Sequence, residues 1–156
     1  MLEGLYFMLH SNYRLRKPVR CILSRDQDMQ LMGGRHPALC RYKVGFSNNG
    51  HINAIKANIF LDGGHTSDYS PLVLGNLIRG FTSLYKIPNW EVEGYVCRTN
   101  THSNTAFRGF GNPQASLMIE SILDEVAVVV NKSPIEVAAF FQHHVSTTWC
   151  LIFFIL

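Results

Sequence analysis

Two stretches of regularly patterned residues around a short turn constrain the fold of this chain most. Residues 41–46 alternate between polar or small side chains and apolar ones, and an apolar run resumes over residues 52–59. The intervening residues 47–50, with the sequence SNNG, are of the types that reverse a chain in a tight turn. Because a period of two is that of a strand, we predict a β-hairpin over residues 41–59.

Helical patterns follow the hairpin. Cap and first-turn residues predict three helices, from Ser70 to about Leu84, from Asn112 onward, and from Ser133 to about Gln142. Two further strands are predicted at residues 18–23 and 90–98. Mixed β-hairpins and helices without an internal repeat favour an α+β fold.

The helix that starts at Asn112 carries the clearest apolar stripe. Such a stripe faces the core of a globular protein. We therefore expect its members to be buried: Leu117, Met118, Ile122, Leu123, Val126, Val129 and Val130.

The charge distribution excludes nucleic acid as a ligand. Charged residues make up only 16% of the chain, and the net charge of +3 is spread without a dense basic run. A nucleic-acid-binding surface requires such clustering. The low charge also leaves few groups to cover a free surface, which predicts that part of the surface is buried against other polypeptide.

The cysteines and the apolar termini favour a cytoplasmic protein without a membrane span. Residues 1–9 lack the basic start of a signal peptide, and residues 149–156 are shorter than the roughly 20 residues that cross a bilayer. The cysteines form no C-x-x-C pair, so no zinc or iron–sulfur loop is indicated. We expect four buried free thiols: Cys21, Cys40, Cys97 and Cys150.

A glycine-rich turn before the helix at Asn112 is the strongest candidate for a binding site. Residues 104–114 read NTAFRGFGNPQ, which places Arg108 and Phe110 between glycines. Main-chain N–H groups at a helix N-terminus attract anions, and glycines allow a ligand to approach closely. Arg108 would add a cation and Phe110 a flat apolar face. The alternative is a purely structural turn. The loop histidines His36 and His65 are predicted to form hydrogen bonds rather than to catalyse a reaction.

Four segments in the same order carry a family resemblance. NTAFRGFGNPQ, together with SRDQDMQLMGGRHP, RYKVGF and YKIPN, resembles the molybdopterin-binding region of the xanthine dehydrogenases and aldehyde oxidases. The resemblance covers residues 17–142. It implies a partial molybdenum-cofactor-binding domain of α+β type, preceded by a divergent extension at 1–16 and followed by a divergent hydrophobic tail at 143–156.

The resemblance also implies roles for individual residues. Arg108, Gly109 and Phe110 would contact the cofactor, with Arg108 beside the molybdenum but not a ligand to it, and Phe110 would contact the substrate ring. Asn76 stands where xanthine dehydrogenases are expected to have an arginine that binds purine. A neutral amide cannot make the charged bidentate contact of an arginine, so an aldehyde or another heterocycle becomes the better substrate prediction.

The family pattern is incomplete in this chain. The glycine-rich cofactor loop and the glutamate that acts as general base have no counterpart, so we assign no catalytic residue. We expect a part of a molybdenum hydroxylase that is inactive alone; its complete parent would also hold 2Fe-2S clusters and FAD, and family members resemble homodimers. The alternative is a non-catalytic structural or interaction module that keeps part of the fold.

Overall fold

The computed structural model describes residues 2–139. Its elements in chain order are α1 (Leu2–Leu15), α2 (Arg25–Leu31), β1 (Ala38–Phe46), β2 (Ile52–Gly64), α3 (Ser70–Arg79), β3 (Asn89–Arg98), α4 (Asn112–Val129) and α5 (Pro134–Ala139). The predicted α+β class is confirmed.

One three-stranded sheet, in the order β1-β2-β3, organises the chain. The predicted hairpin is confirmed, because β1 and β2 pair antiparallel around the turn at residues 47–50. The predicted strand at residues 90–98 is also confirmed as β3, which pairs with β2 in parallel. A parallel neighbour needs a crossover connection, and α3 supplies it.

The core lies between one face of the sheet and the helices α3 and α4. Alternate residues of β2 point into it, including Ile55, Ala57 and Ile59, each at most 2% exposed. From the helices, Leu77 of α3 and Ile119 of α4 are fully buried. The opposite face of the sheet carries charged and aromatic side chains, with a salt bridge of 2.8 Å between Lys56 and Glu91.

The apolar stripe of α4 is rotated relative to the prediction. Ile122, Leu123 and Val126 are buried as expected, but Leu117 is 70% exposed and Val129 is 71% exposed. The buried face instead uses three other residues, Ala115, Ile119 and Ala127. The predicted stripe left out the two alanines because it counted only large side chains, and it also missed Ile119.

The predicted end of α3 at Leu84 is wrong. The helix ends at Arg79, and the next residues form turns in which Ser83 has a φ of +50°. This change of direction buries Phe81 completely and places the Tyr85 ring in the core. The Tyr85 hydroxyl donates to Glu120 at 2.6 Å. Burial, together with this carboxylate, raises the pKa of Tyr85.

The predicted strand at residues 18–23 is also wrong. No strand within residues 2–139 pairs with this segment, and Ile22 is 71% exposed. The next residues follow the sequence pattern, because Ser24 caps α2 through a capping box with Gln27. The thiol prediction is wrong for Cys21, which is exposed, whereas Cys40 and Cys97 are partly buried and free. Cys150 lies outside the described residues.

Two helices stand apart from this core. Among the residues that the structure describes, neither α1 nor α2 packs against another helix or strand. On α1, large apolar side chains remain exposed, including Tyr6, Phe7 and Tyr13.

None of the helices between residues 2 and 139 combines the length and apolar character needed for a membrane span. The predicted helix from Ser133 is confirmed by its capping box, while its predicted end at Gln142 lies outside the described residues.

The rotated stripe of α4 gives a matched pair of substitutions. We expect Ile122→Ala to lower the free energy of unfolding by about 2–4 kcal/mol, because it leaves a cavity in the core. Leu117→Ala should change it by no more than about 0.5 kcal/mol, because that side chain faces solvent. Urea unfolding of both variants measures the difference. Equal losses would place Leu117 in the core and contradict the described packing.

Candidate functional site

Two segments far apart in sequence meet at the candidate site. The GGRHP segment, residues 33–37, precedes β1, and the FRGFG loop, residues 107–111, precedes α4. Just before the FRGFG loop, the Thr105 amide donates a hydrogen bond of 3.2 Å to the Gly34 carbonyl and so joins the two backbones. A Cβ atom at Gly33 would lie 1.9 Å from the Ser103 carbonyl oxygen, so only glycine allows these two segments of the chain to pass this closely.

Residues 99–104, which lead from β3 to the FRGFG loop, are held by hydrogen bonds at the paired carboxyl ends of β2 and β3. The carboxylate of Asp62 accepts from the Thr99 hydroxyl at 2.6 Å and from the Gly64 amide at 2.9 Å. These hydrogen bonds lower the pKa of the Asp62 carboxyl, with that from Thr99 having the largest effect. The Asn104 side chain donates to the Asp62 carbonyl at 2.8 Å. Residues 99–104 are therefore fixed before the loop begins.

The FRGFG loop contains three consecutive residues with positive φ. Gly109, Phe110 and Gly111 have φ values of +89°, +44° and +94°. Such a conformation is easy for glycine and strained for phenylalanine. Gly111 also lies against α3, where a Cβ atom would be 2.6 Å from the Val73 carbonyl oxygen. Glycine is therefore required at positions 109 and 111 by the shape of the loop, and at position 111 also by its contact with α3.

Asn76 of α3 holds the strained residue. Its amide nitrogen donates to the Phe110 carbonyl at 2.7 Å and to the Asn112 side chain at 3.1 Å. This hydrogen bond to the Phe110 carbonyl stabilises the loop and so offsets part of the strain at Phe110. The structure thus brings Asn76 into contact with Phe110. It shows the Asn76 amide nitrogen engaged with the loop itself.

Arg35 holds the other side of the loop. Its Nη2 donates to the Arg108 carbonyl at 2.6 Å, and its guanidinium lies 4.8 Å from the centre of the Phe107 ring. Its Nη1 is buried and has no hydrogen-bond partner in the described structure. Arg35 lies within SRDQDMQLMGGRHP, one of the four segments that carry the family resemblance. Its position between two glycines and a proline gave no signal of what it contacts.

His36 anchors the GGRHP segment to both helices of the core. Its buried imidazole exchanges a hydrogen bond of 2.8 Å with the Ser70 hydroxyl at the start of α3. Its carbonyl accepts from the Gln114 side chain on α4 at 3.2 Å. Burial lowers the pKa of the His36 imidazole, although the charges of Asp62 and Asp68 act in the opposite direction. The histidine therefore has the hydrogen-bonding role predicted for it.

The second loop histidine, His65, hydrogen-bonds to the Thr101 carbonyl through its ring at 3.1 Å, again as predicted.

Of the predicted site residues, Arg108 and Gly109 are exposed, and Phe110 is half-buried with its side chain against the core. Among residues 2–139, no cluster of three or more His, Cys, Asp and Glu side chains is arranged to hold a metal ion.

The chemistry of the loop is that of a donor-rich binding surface. It combines the exposed cation of Arg108, glycine backbone that a ligand can approach, and a buried guanidinium N–H with no acceptor. Groups of this kind bind anions and ligands rich in oxygen and nitrogen acceptors. The arrangement can hold and orient such a ligand.

Comparison with known proteins gives a consistent result. The sequence family of molybdopterin cofactor-binding domains matches residues 6–139. Over 114 residues, 73% of this chain, the sequence is 46% identical to xanthine dehydrogenase of Emericella nidulans. Over 111 residues, 71% of the chain, it is 50% identical to aldehyde oxidase 2 of Cavia porcellus. In both comparisons the matched part is 8% of the longer relative.

A solved structure agrees with the sequence comparison. The aldehyde oxidoreductase from Desulfovibrio gigas superposes on 73% of this chain with a TM-score of 0.64 and 26% identity. The superposed part is 13% of that protein's chain.

The contact between Gly111 and α3 predicts a large difference between two glycine-to-alanine substitutions. Gly111→Ala combines a positive φ with a clash against α3, so we expect a loss of at least about 2 kcal/mol in the free energy of unfolding. Gly75→Ala lies within α3 with open space around the new methyl group, and should be neutral or stabilising by up to about 1 kcal/mol. Chemical denaturation of the two variants checks this; similar stabilities would show that the loop does not need its left-handed backbone.

The buried His36 predicts a pH-dependent stability. The unfolded imidazole binds a proton near its ordinary pKa of 6.5, whereas burial keeps the folded one neutral to lower pH. The unfolded chain therefore takes up more protons, and the free energy of unfolding should fall as the pH drops below about 6.5. In His36→Gln this part of the slope should disappear. Denaturant melts between about pH 7.5 and 5.5 measure it, and an unchanged slope in the variant would rule out His36 as its source.

Proposed function

The chain belongs to the family of molybdopterin cofactor-binding domains, and we propose that it forms one wall of the molybdenum site in a larger hydroxylase. The observation that carries the proposal is the donor-rich FRGFG loop, which is held in a strained conformation by Asn76 and Arg35. The proposed reaction is the oxidative hydroxylation of an aldehyde or an N-heterocycle, purines included. Proteins named for such substrates, a xanthine dehydrogenase and an aldehyde oxidase, are among its relatives.

The residues of the loop fit the cofactor. Molybdopterin is rich in oxygen and nitrogen acceptors and carries negative charge, and the loop offers the complementary donors and a cation. We propose that Arg108, Gly109 and Phe110 contact it, with Arg108 next to the molybdenum but not bound to it. When bound, the molybdenum centre supplies the oxidising chemistry.

Substrate contact is assigned to Phe110 and Asn76. Phe110 is a half-buried residue of the loop, and Asn76 of α3 donates to its carbonyl. The Asn76 amide is uncharged and its nitrogen already donates to two loop acceptors. It therefore cannot replace the bidentate cation proposed for purine binding, which favours an aldehyde or another heterocycle.

The chain alone is proposed to be inactive. The loop's side-chain partners in the described structure are Arg35 and Asn76, and neither is suited to accept a proton near neutral pH. A general base and further cofactor contacts would come from other parts of a complete enzyme. By the family resemblance that enzyme would contain 2Fe-2S clusters and FAD and form a homodimer. The scattered cysteines favour a cytoplasmic location for it.

One observation favours a second candidate function. The exposed apolar side chains of α1, among them Tyr6 and Tyr13, do not pack against any described helix or strand. A surface of this kind suits a non-catalytic module that docks on another protein. Metal binding separates the two functions.

The first test uses the chain alone. After expression in a molybdenum-replete host, we expect well under about 0.1 molybdenum per chain and no oxidation of an aldehyde, because most cofactor contacts and the base are missing. Elemental analysis and an aldehyde-oxidation assay measure both. Stoichiometric molybdenum with turnover would contradict the proposed inactivity.

A chimera tests the function itself. The 111 matched residues replace their counterpart in aldehyde oxidase 2 of Cavia porcellus, where half of the positions are already identical. We expect the chimera to contain molybdenum and to oxidise aldehydes, and Arg108→Gln in it to lower turnover about a hundredfold or more. Arg79→Gln, on the exposed end of α3, is the matched control. A folded chimera without molybdenum would exclude the proposed function and leave the docking module.

A further inference from the structure

Arg35 contacts two successive residues of the FRGFG loop and approaches a third. Its guanidinium covers the Phe107 ring at 4.8 Å, and its Nη2 donates to the Arg108 carbonyl at 2.6 Å. Its Nη1 lies 3.7 Å from the position of a Cβ atom on Gly109. One planar, permanently charged side chain therefore contacts the loop at the Phe107 ring and the Arg108 carbonyl and lies near Gly109.

These contacts fix the orientation of one peptide group. A trans peptide is planar, with its C=O and N–H pointing in opposite directions. Because the Arg108 carbonyl points at Arg35, the N–H of Gly109 points away from Arg35.

We propose that Arg35 is a positioning residue for the loop. It holds the peptide between Arg108 and Gly109 so that the Gly109 N–H has a fixed direction for a ligand. Its importance for the cofactor rests on the proposed function, but its effect on the loop is a property of this chain without any ligand.

The buried Nη1 supports a role beyond packing. A buried donor without an acceptor is unfavourable, and this one lies beside Gly109 of the loop. A second arginine provides the contrast. Arg41 lies over the Phe60 ring at 5.9 Å, on the outer face of the sheet. Arg41 therefore shares the ring contact of Arg35 but lies far from the loop in the fold.

Hydrogen exchange followed by mass spectrometry on the full 156-residue chain tests the proposal. The reporter is a peptide that contains the Phe110 and Asn112 amides, which donate to Phe107 and Gly109 within the loop. The reference is a peptide from β2. Arg35→Met should accelerate exchange in the reporter about tenfold or more and in β2 less than about twofold. Arg41→Met should leave both peptides unchanged.

A conservative variant separates positioning from general support of the fold. Arg35→Lys keeps one charged donor for the Arg108 carbonyl and should return reporter exchange to within about threefold of the parent chain. The proposal is overturned if Lys protects the loop no better than Met, if loop and β2 accelerate equally, or if Arg35→Met changes neither. No cofactor enters this measurement, so its failure is distinct from failure of the chimera to bind molybdenum.

Discussion

The parallel pairing of β2 with β3 is the constraint on which the candidate site depends. It aligns Asp62 with Cys97 and Gly64 with Arg98, so both strands end at the same edge of the sheet. The segment that follows β3 then runs beside the GGRHP segment and returns across α3 as the FRGFG loop. This pairing therefore brings together Arg35 before β1, Asn76 of α3 and the glycines before α4.

Local sequence rules were sufficient for elements with complete local signals. The hairpin over residues 41–59 has both alternation and turn residues, and the helix at Ser133 has both halves of its capping box. Local sequence rules failed where tertiary contacts determine whether a segment forms a strand or where a helix ends. The apolar residues 18–23 form no strand because no described strand pairs with them, and α3 ends at Arg79 because Phe81 and Tyr85 must reach the core.

The site shows the same division. Its central turn could be predicted from the glycines, Arg108 and Phe110, because these residue types carry their chemistry locally. Its supports could not, because Arg35 lies 73 residues before Arg108 in the chain. The contact of Asn76 with Phe110 spans 34 residues. Such contacts are set by the crossover through α3, which no short motif encodes.

The left-handed backbone at Gly109, Phe110 and Gly111 has a thermodynamic consequence for any ligand that the loop binds. Ordering a flexible loop on association opposes affinity through lost conformational entropy. Here that ordering is completed when the sheet and α3 assemble, so the penalty falls on folding and not on recognition. Affinity and global stability are therefore linked: a substitution remote from the loop that loosens α3 would weaken binding without touching the bound molecule.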